Sequence, residues 1–193
     1  MNWRRLSKWI LVLLVPVLLG SSAWLPHRRK AFRSSDSATY SLYTNYVTAG
    51  LRNNYSGYVG MVFTNNAQIT AKQIGRWVVS GNSGTHELII VKWSDGSVVA
   101  SNSISTSGLT AGQFNYVDIT PAILQAATVY AIVSKEASGG DQWYNVTTAS
   151  PTAALSTGDY GSACYGTSVA ALTYEAAQTR PYVPTDIKYT PSP

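Results

Sequence analysis

Short segments in which apolar and polar residues alternate, separated by turn residues, limit the fold of this chain more than any other feature of its sequence. The clearest pair is His86–Trp93 and Val98–Ile104, and the Asp95-Gly96 turn between them is typical of a β-hairpin. Comparable segments are Gly57–Thr64, Ile69–Val79, Phe114–Ile119, Val129–Lys135, Val169–Tyr174 and Thr185–Tyr189. About eight short strands with regular turns predict an all-β fold, either a single antiparallel β-sandwich or a barrel.

Helical signals are scarce in the same region. No window of about 12 residues has an apolar stripe with the roughly 3.6-residue period of a helix, and residues 122–127 predict at most one short helical turn. Pro121 cannot donate a hydrogen bond to a neighbouring strand, so we expect the strand that begins at Phe114 to end before it. Tyrosine, threonine, serine and valine are abundant while charged residues make up 12% of the chain, which also favours strands.

The beginning of the chain has the pattern of an export signal. Arg4, Arg5 and Lys8 precede an apolar run at Ile10–Gly20, and the small residues Ser21–Ala23 follow it. The run is 11 residues long, shorter than the roughly 20 that a membrane-spanning helix requires. We therefore expect a signal peptide at residues 1–23. The alternative is an uncleaved membrane anchor at residues 9–25, and either one places the domain outside the cell or on its surface.

Basic residues are concentrated near this leader. Seven of the 14 lysines and arginines lie in the first 33 residues, whereas all nine acidic residues follow them. The remainder of the chain therefore carries a net charge of about −2, which argues against nucleic acid as a partner. The sequence predicts a basic and polar linker at residues 24–39, a β-sandwich domain at residues 40–190 and a tail at residues 191–193. A membrane is expected as a partner only through the N-terminal segment.

Residues suited to catalysis are few. Only one histidine, His86, lies in the predicted domain, and the chain has no known nucleophile, metal-binding or phosphate-binding motif. The single cysteine, Cys164, cannot pair within the chain and is expected to be a small buried side chain. Glu136 and Asp141 are the carboxylate pair that would serve a glycoside hydrolase, although solvated carboxylates are the simpler expectation. We therefore predict no enzyme, no catalytic residue and no cofactor.

Loop acids raise the question of a structural calcium ion. Asp141, Asn145 and Asp159 offer oxygen ligands, but the chain lacks the Asp-rich run of a calcium-binding loop. The sequence therefore predicts no metal ligand.

The loop Ser138–Tyr144 is the strongest candidate for a ligand-binding site. Asp141 and Gln142 supply hydrogen-bonding groups beside two glycines that allow close approach of the backbone. Trp143 and Tyr144 supply aromatic faces. Sugar rings suit this mixture, because their C–H faces stack on aromatic rings and their hydroxyls bind amides and carboxylates. The alternative is that Trp143 closes one end of the β-sandwich as part of its core.

Three further residues complete the candidate set. Trp77 lies on the strand face opposite Ile74 and Val78, so it is either a core residue or an exposed stacking platform. Arg76 lies beside it. Trp93 directly precedes the hairpin turn and is expected to be partly exposed, which makes it a second choice for ligand contact.

Three segments carry a resemblance to known proteins. They are Gly75-Arg76-Trp77, Ser80–His86 and Gly139–Tyr144. With them, residues 45–190 resemble a family of bacterial exported jelly-roll-like β-sandwich modules of unknown function, found attached to secreted and surface proteins, including polysaccharide-active ones. The resemblance implies a jelly-roll-like, non-catalytic domain used outside the cell. It supplies no catalytic or ligand-binding residues.

These features leave three classes of function. The first is a secreted or surface-tethered binding module for carbohydrate or a cell-envelope polymer. The second is a structural or adhesive surface protein whose exposed strand edges pair with another protein or with copies of itself. The third is a hydrolase that uses the carboxylate pair. The lack of a catalytic motif and the aromatic, amide-rich loop favour the first.

Overall fold

The computed structural model describes residues 38–151, 162–174, 182 and 185–192. The predicted leader, most of the predicted linker and Asp159 lie outside these residues. Within the described part, no helix has the length and apolar character needed to cross a membrane.

The strands, in chain order, are β1 (Tyr40–Ser41), β2 (Tyr43–Arg52), β3 (Gly57–Thr64), β4 (Ile69–Trp77), β5 (Thr85–Lys92), β6 (Val98–Ser105), β7 (Phe114–Leu124), β8 (Val129–Glu136), β9 (Trp143–Pro151), β10 (Ser162–Gly166), β11 (Thr173–Tyr174) and β12 (Thr185–Pro191).

The described strands form three sheets. One has four strands in the order β1-β12-β4-β7, and another has six in the order β11-β10-β3-β8-β5-β6. β2 and β9 form a separate two-stranded ribbon. Every described strand pair is antiparallel, and none of these sheets closes into a barrel. The prediction of an all-β, antiparallel fold is therefore confirmed.

The main apolar core contains side chains from both larger sheets. Ile74 from β4 lies in the same buried cluster as Leu88 from β5 and Ile132 from β8. Alternate residues of a strand point to opposite faces, so Ile89 lies in a second buried cluster instead. Cys164 belongs to that second cluster and is buried, as expected, and burial raises the pKa of its thiol. The six-stranded sheet thus buries apolar residues on both faces.

The expected strand end at Pro121 is wrong, because β7 continues through this residue. β7 is the end strand of the four-stranded sheet. Its pairing with β4 is irregular near the proline, since Ala71 pairs with Ala122 whereas Gln73 pairs with Asp118. A proline is tolerated in an edge strand or at a bulge, because no carbonyl of an adjacent strand needs the N–H that proline lacks.

Two other segments also differ from expectation. Residues 122–127 contain the end of β7 followed by a turn in which Ala127 has φ 52°, and no helical turn forms there. The predicted strand Val169–Tyr174 is instead a short 3₁₀-helix, Val169–Ala171, followed by the two-residue strand β11.

The ribbon of β2 and β9 has no counterpart among the strands predicted from the sequence. At one end of β2, the Tyr46 ring lies 6.4 Å from the ring of Trp77 and 5.0 Å from that of Phe114. At the other end, Arg52 pairs in register with Trp143. Directly opposed residues of antiparallel strands place their side chains on the same side of the pair. The ribbon therefore brings Trp143 beside Arg52.

Candidate ligand-binding site

A pocket of about 250 Å³ lies where β2 ends and β9 begins. We call it the aromatic pocket, and its lining residues are Arg52, Asn54, Tyr55, Val59, Trp143, Tyr165 and Tyr182. Four of these seven residues are aromatic and none is acidic. Such a pocket offers ring faces together with hydrogen-bond donors at its rim.

Contacts between rings fix the walls of the aromatic pocket. Tyr55 and Tyr165 meet edge to face at a centroid distance of 5.9 Å, and Tyr165 meets Tyr182 in the same way at 5.8 Å. The guanidinium carbon of Arg52 lies 5.3 Å from the centroid of the Tyr182 ring. Edge-to-face pairs and cation–π contacts are favourable, so these side chains support one another around the pocket.

Trp143 is one of the lining residues and is 2% exposed. It forms a small apolar cluster with Val59, against which Tyr55, Tyr165 and Tyr182 pack. Its buried indole N–H has no hydrogen-bond partner among the described residues. A buried donor without an acceptor costs free energy, and an acceptor on a bound ligand would remove that cost. Trp143 is thus a core residue, as the alternative expected, and it also lines the aromatic pocket.

Arg76 is not available to a ligand, which corrects its place in the candidate set. It is fully buried and forms a bidentate ion pair with Glu136, in which Nε lies 3.1 Å from Oε1 and Nη2 lies 3.1 Å from Oε2. Ser134 donates a further hydrogen bond of 2.6 Å to Glu136. Burial opposes ionisation of Glu136, but the hydrogen bonds from His86 and Arg76 and their positive charges lower its pKa.

His86 joins this pair to Asp141. Its Nε2 lies 2.9 Å from Oδ2 of Asp141, and its Nδ1 lies 3.0 Å from the carbonyl of Lys135 and 3.1 Å from Oε2 of Glu136. Both ring nitrogens therefore face acceptors, an arrangement that favours a donor N–H on each and hence the imidazolium form. Burial opposes that charge and Arg76 repels it, but Glu136 and Asp141 outweigh both and raise the pKa of His86.

Asp141 holds its loop through several donors. It accepts hydrogen bonds from the hydroxyl of Thr106 at 2.6 Å and from the backbone N–H groups of Ser83 and Gly84 at 2.9 and 3.0 Å. Burial opposes its ionisation, but these bonds and that from His86 lower the pKa of Asp141. We call Arg76, His86, Glu136 and Asp141 the charge cluster. The expectation of freely solvated carboxylates at positions 136 and 141 is wrong.

The charge cluster lacks the properties of a glycosidase pair. A general acid in such an enzyme needs a carboxyl group whose pKa is raised, whereas the pKa values of Glu136 and Asp141 are both lowered. Each carboxylate also has several donors already bound to it. This arrangement is suited to holding strands and loops together.

The remaining candidates lie apart from the aromatic pocket. Gln142 exchanges hydrogen bonds with Asn82, its backbone N–H donating at 3.0 Å and its carbonyl accepting at 2.9 Å. Tyr144 pairs with Leu51 in the ribbon. Neither residue lines the pocket, but Asp141 and Gln142 fix the chain immediately before Trp143.

Trp77 and Trp93 occupy two other places. Trp77 is partly buried and meets Phe114 edge to face at 5.2 Å. Trp93 is also partly exposed, as expected, and lines a separate depression with Val169 and Leu172. The seven predicted candidates therefore do not form one site, and Trp143 is the one that lines the aromatic pocket.

The chain matches no protein-family model and no curated protein. Within the described residues, no group of three or more histidine, cysteine, aspartate or glutamate side chains is arranged to hold a metal ion.

The raised pKa of His86 predicts a loss of stability at alkaline pH. In the unfolded chain this pKa is about 6.5, so the stabilisation by the imidazolium is complete below that pH and is lost as pH rises through the higher folded-state value. Glu136 and Asp141 have the opposite pH dependence, because their pKa values are lowered in the folded state. The stabilisation that these carboxylates provide is lost only under acid conditions, below about pH 4.5. The free energy of unfolding should therefore decline above about pH 6.5.

Urea unfolding of the wild type and of His86→Gln from about pH 6.5 to about pH 9 tests this expectation. The wild type should lose stability over the range, and the variant should lose markedly less. Asp186, whose pKa burial raises to about 6, is common to both proteins and titrates below most of the range. Equal declines in the two proteins would show that His86 carries no stabilising charge.

Proposed function

We propose that this chain is a non-catalytic binding module that holds a sugar ring in the aromatic pocket. In this proposal the domain is a β-sandwich of the jelly-roll type, exported or tethered at the cell surface, and its partner is a glycan or a cell-envelope polymer. The observation that carries the proposal is the pocket itself, which Arg52, Asn54 and four aromatic side chains line together with Val59.

The chemistry of the pocket suits a carbohydrate. Tyrosine rings at positions 55, 165 and 182 offer faces on which the C–H groups of a sugar can stack. Asn54, Arg52 and the Trp143 N–H supply donors for hydroxyl and ring oxygens. The volume of about 250 Å³ lies below the roughly 300 to 1,000 Å³ that is usual for ligand pockets, which favours one ring or a chain end as the bound unit.

A non-catalytic role is supported by the state of the described carboxyl groups. Asp186 has a raised pKa, but it is buried and accepts hydrogen bonds from the backbone N–H groups of Leu42 and Ile187 and from the Tyr116 hydroxyl. None of the described residues that line the aromatic pocket is acidic. A carboxylate-pair hydrolase would need two acids on either side of a bound sugar, and neither the charge cluster nor the pocket supplies them in that form.

A glycan-binding measurement on the purified full chain tests the proposal. A panel of soluble and insoluble polysaccharides should give at least one saturable ligand, and Tyr182→Ala should weaken that binding about tenfold through loss of a stacking face. Trp143→Phe, which keeps a ring but removes the N–H, should weaken it by about fivefold to tenfold.

Tyr40→Ala is the matched control, because Tyr40 is a 49% exposed tyrosine that does not line the pocket. It should leave affinity unchanged. Thermal unfolding of each variant separates lost binding from lost folding. The absence of any saturable ligand, or equal effects of Tyr182→Ala and Tyr40→Ala, would overturn the proposal.

A second candidate function, a structural or adhesive surface protein, is favoured by one observation. Val98 on β6 and Ile123 on β7 are 53% and 55% exposed, and both line a groove between these two strands. β6 and β7 are end strands of the two larger sheets, and exposed strand edges can pair with other chains. Light scattering over a range of protein concentrations, with Val98→Lys for comparison, distinguishes a self-associating protein from a monomer.

A further inference from the structure

We infer that the aromatic pocket selects a sugar that carries a carboxylate over the same sugar without charge. This inference rests on the proposed function and names the class of ligand. It is carried by the position of Arg52, whose guanidinium lies at the pocket without an acidic partner among the described residues.

Arg52 is the charged residue among the described residues that line the pocket. None of the seven lining residues is an aspartate or glutamate. Glu136, at the end of β8, and Asp141, in the loop before β9, are bound within the charge cluster. The contact that the structure gives to the guanidinium is with the ring of Tyr182, at 5.3 Å. An anion entering the pocket therefore meets a positive charge that these neighbours do not neutralise.

The guanidinium is also well placed to bind a carboxylate. Its planar arrangement of N–H groups matches the two oxygens of a carboxylate, whereas a hydroxyl group has a single oxygen and cannot bind both N–H groups in this way. Contact with Tyr182 restricts the side chain, so less rotamer freedom remains to be lost on binding. Arg52 is exposed in the absence of ligand, and partial desolvation against a bound sugar would strengthen the charge interaction.

Trp143 supplies a second donor on the same side. Arg52 and Trp143 are directly paired in the β2–β9 ribbon, so their side chains share one side of it. The Trp143 N–H is buried and has no acceptor among the described residues. A sugar acid offers acceptors to both groups, namely carboxylate oxygens and ring or hydroxyl oxygens, and has apolar C–H faces for the tyrosines.

The test compares charged sugars with their uncharged counterparts. The probes are oligomers of galacturonate, glucuronate and mannuronate, each paired with its methyl ester, and glucose 6-phosphate as an anion of different geometry. Calorimetric titration of the full chain should show at least one acidic oligomer binding about tenfold or more tightly than its ester, which is about 1.4 kcal/mol. Raising the salt concentration should reduce this preference.

Variants of Arg52 assign the preference to this residue. Arg52→Gln should remove the preference for the acid, and Arg52→Lys should keep part of it because the charge remains while the planar fork is lost. Lys135→Gln is the matched control, since the Lys135 ammonium lies 5.7 Å from the ring of Tyr58 outside the pocket. This control should keep the full preference.

The outcomes separate this inference from the proposed function. Saturable binding of neutral sugars or esters that equals or exceeds binding of the acids overturns the inference and leaves the binding module intact. A preference for acids that survives Arg52→Gln also overturns it. Tighter binding of glucose 6-phosphate than of every uronate would assign the pocket to phosphorylated sugars and overturn the choice of carboxylate. Failure of every glycan to bind overturns the proposed function as well.

Discussion

Replacement of Arg76 by methionine is expected to lower the free energy of unfolding by about 3 to 5 kcal/mol. Arg76 and Glu136 are both inaccessible to solvent and form two hydrogen bonds of 3.1 Å. Methionine fills much of the same volume but leaves the buried Glu136 carboxylate with the His86 imidazolium as its remaining cationic partner. Removing one partner of a buried ion pair is far more costly than losing an exposed ion pair.

Two further variants make this prediction specific. Lys92→Met removes a partner of Asp95 from an ion pair whose side chains are 42% and 50% exposed, and it should change the free energy of unfolding far less than Arg76→Met does. The double variant Arg76→Met with Glu136→Leu removes both members of this ion pair, while His86 keeps Asp141 as its partner, and it should recover more than half of the loss. Chemical unfolding of the three proteins supplies the comparison. An Arg76→Met protein as stable as Lys92→Met would contradict the role given to the pair.

Replacement of Trp143 by alanine is expected to lower the free energy of unfolding by about 3 to 5 kcal/mol. The indole is 2% exposed and packs with Val59, and three tyrosines pack against that pair. Its removal leaves a space beside the aromatic pocket that these rings can fill only in part. The loss therefore includes both the transfer of the indole from water and the cost of the remaining cavity.

Trp143→Phe and Trp93→Ala are the comparisons for this prediction. Phenylalanine retains a ring at position 143 and should recover most of the stability, and alanine at the partly exposed position 93 should cost about 1 kcal/mol. If Trp143→Ala costs no more than Trp93→Ala, Trp143 is not part of the core. Because Trp143→Ala changes folding, loss of ligand binding in that variant alone would not locate the ligand.

Most strands with a buried face were predictable from their apolar residues and turns. β3, β5 and β8 contain long apolar runs, and the Asp95-Gly96 turn indicates the hairpin of β5 and β6. β2 and β9 lack such a signal, because β2 is largely exposed and each strand contains two threonines and an asparagine. They pair with each other across a long stretch of sequence. A pairing of that kind depends on how the rest of the domain folds, which no local pattern encodes.

The sequence contains a pattern from which part of the charge cluster could have been predicted. Arg76 is in phase with Ile74 and Val78, so it shares their buried strand face. Glu136 is likewise in phase with Ile132. A charged residue in phase with core residues predicts a buried ion pair, since a buried charge requires a partner. The sequence indicates that partners exist, but not which residues they are.

The aromatic pocket was predictable only in part. Trp143 is recognisable as an aromatic residue in a glycine-containing loop, and it is indeed a pocket residue. Arg52, Tyr165 and Tyr182 come from separate segments, and nothing in their local sequence indicates that they meet. Asp141 and Gln142 have the composition of ligand-binding residues, but their hydrogen bonds go to the protein itself.

The order in which the chain folds follows from the way the pocket is assembled. Arg52, Trp143 and Tyr182 are distant in sequence, so each contact between them closes a long loop, and the entropy of that closure opposes its formation until the local hairpins are in place. We expect the β5–β6 hairpin to form early and the pocket to form among the last features. Partly folded or incompletely synthesised chains would then lack the aromatic pocket, and under the proposed function ligand capture would begin only when folding is complete.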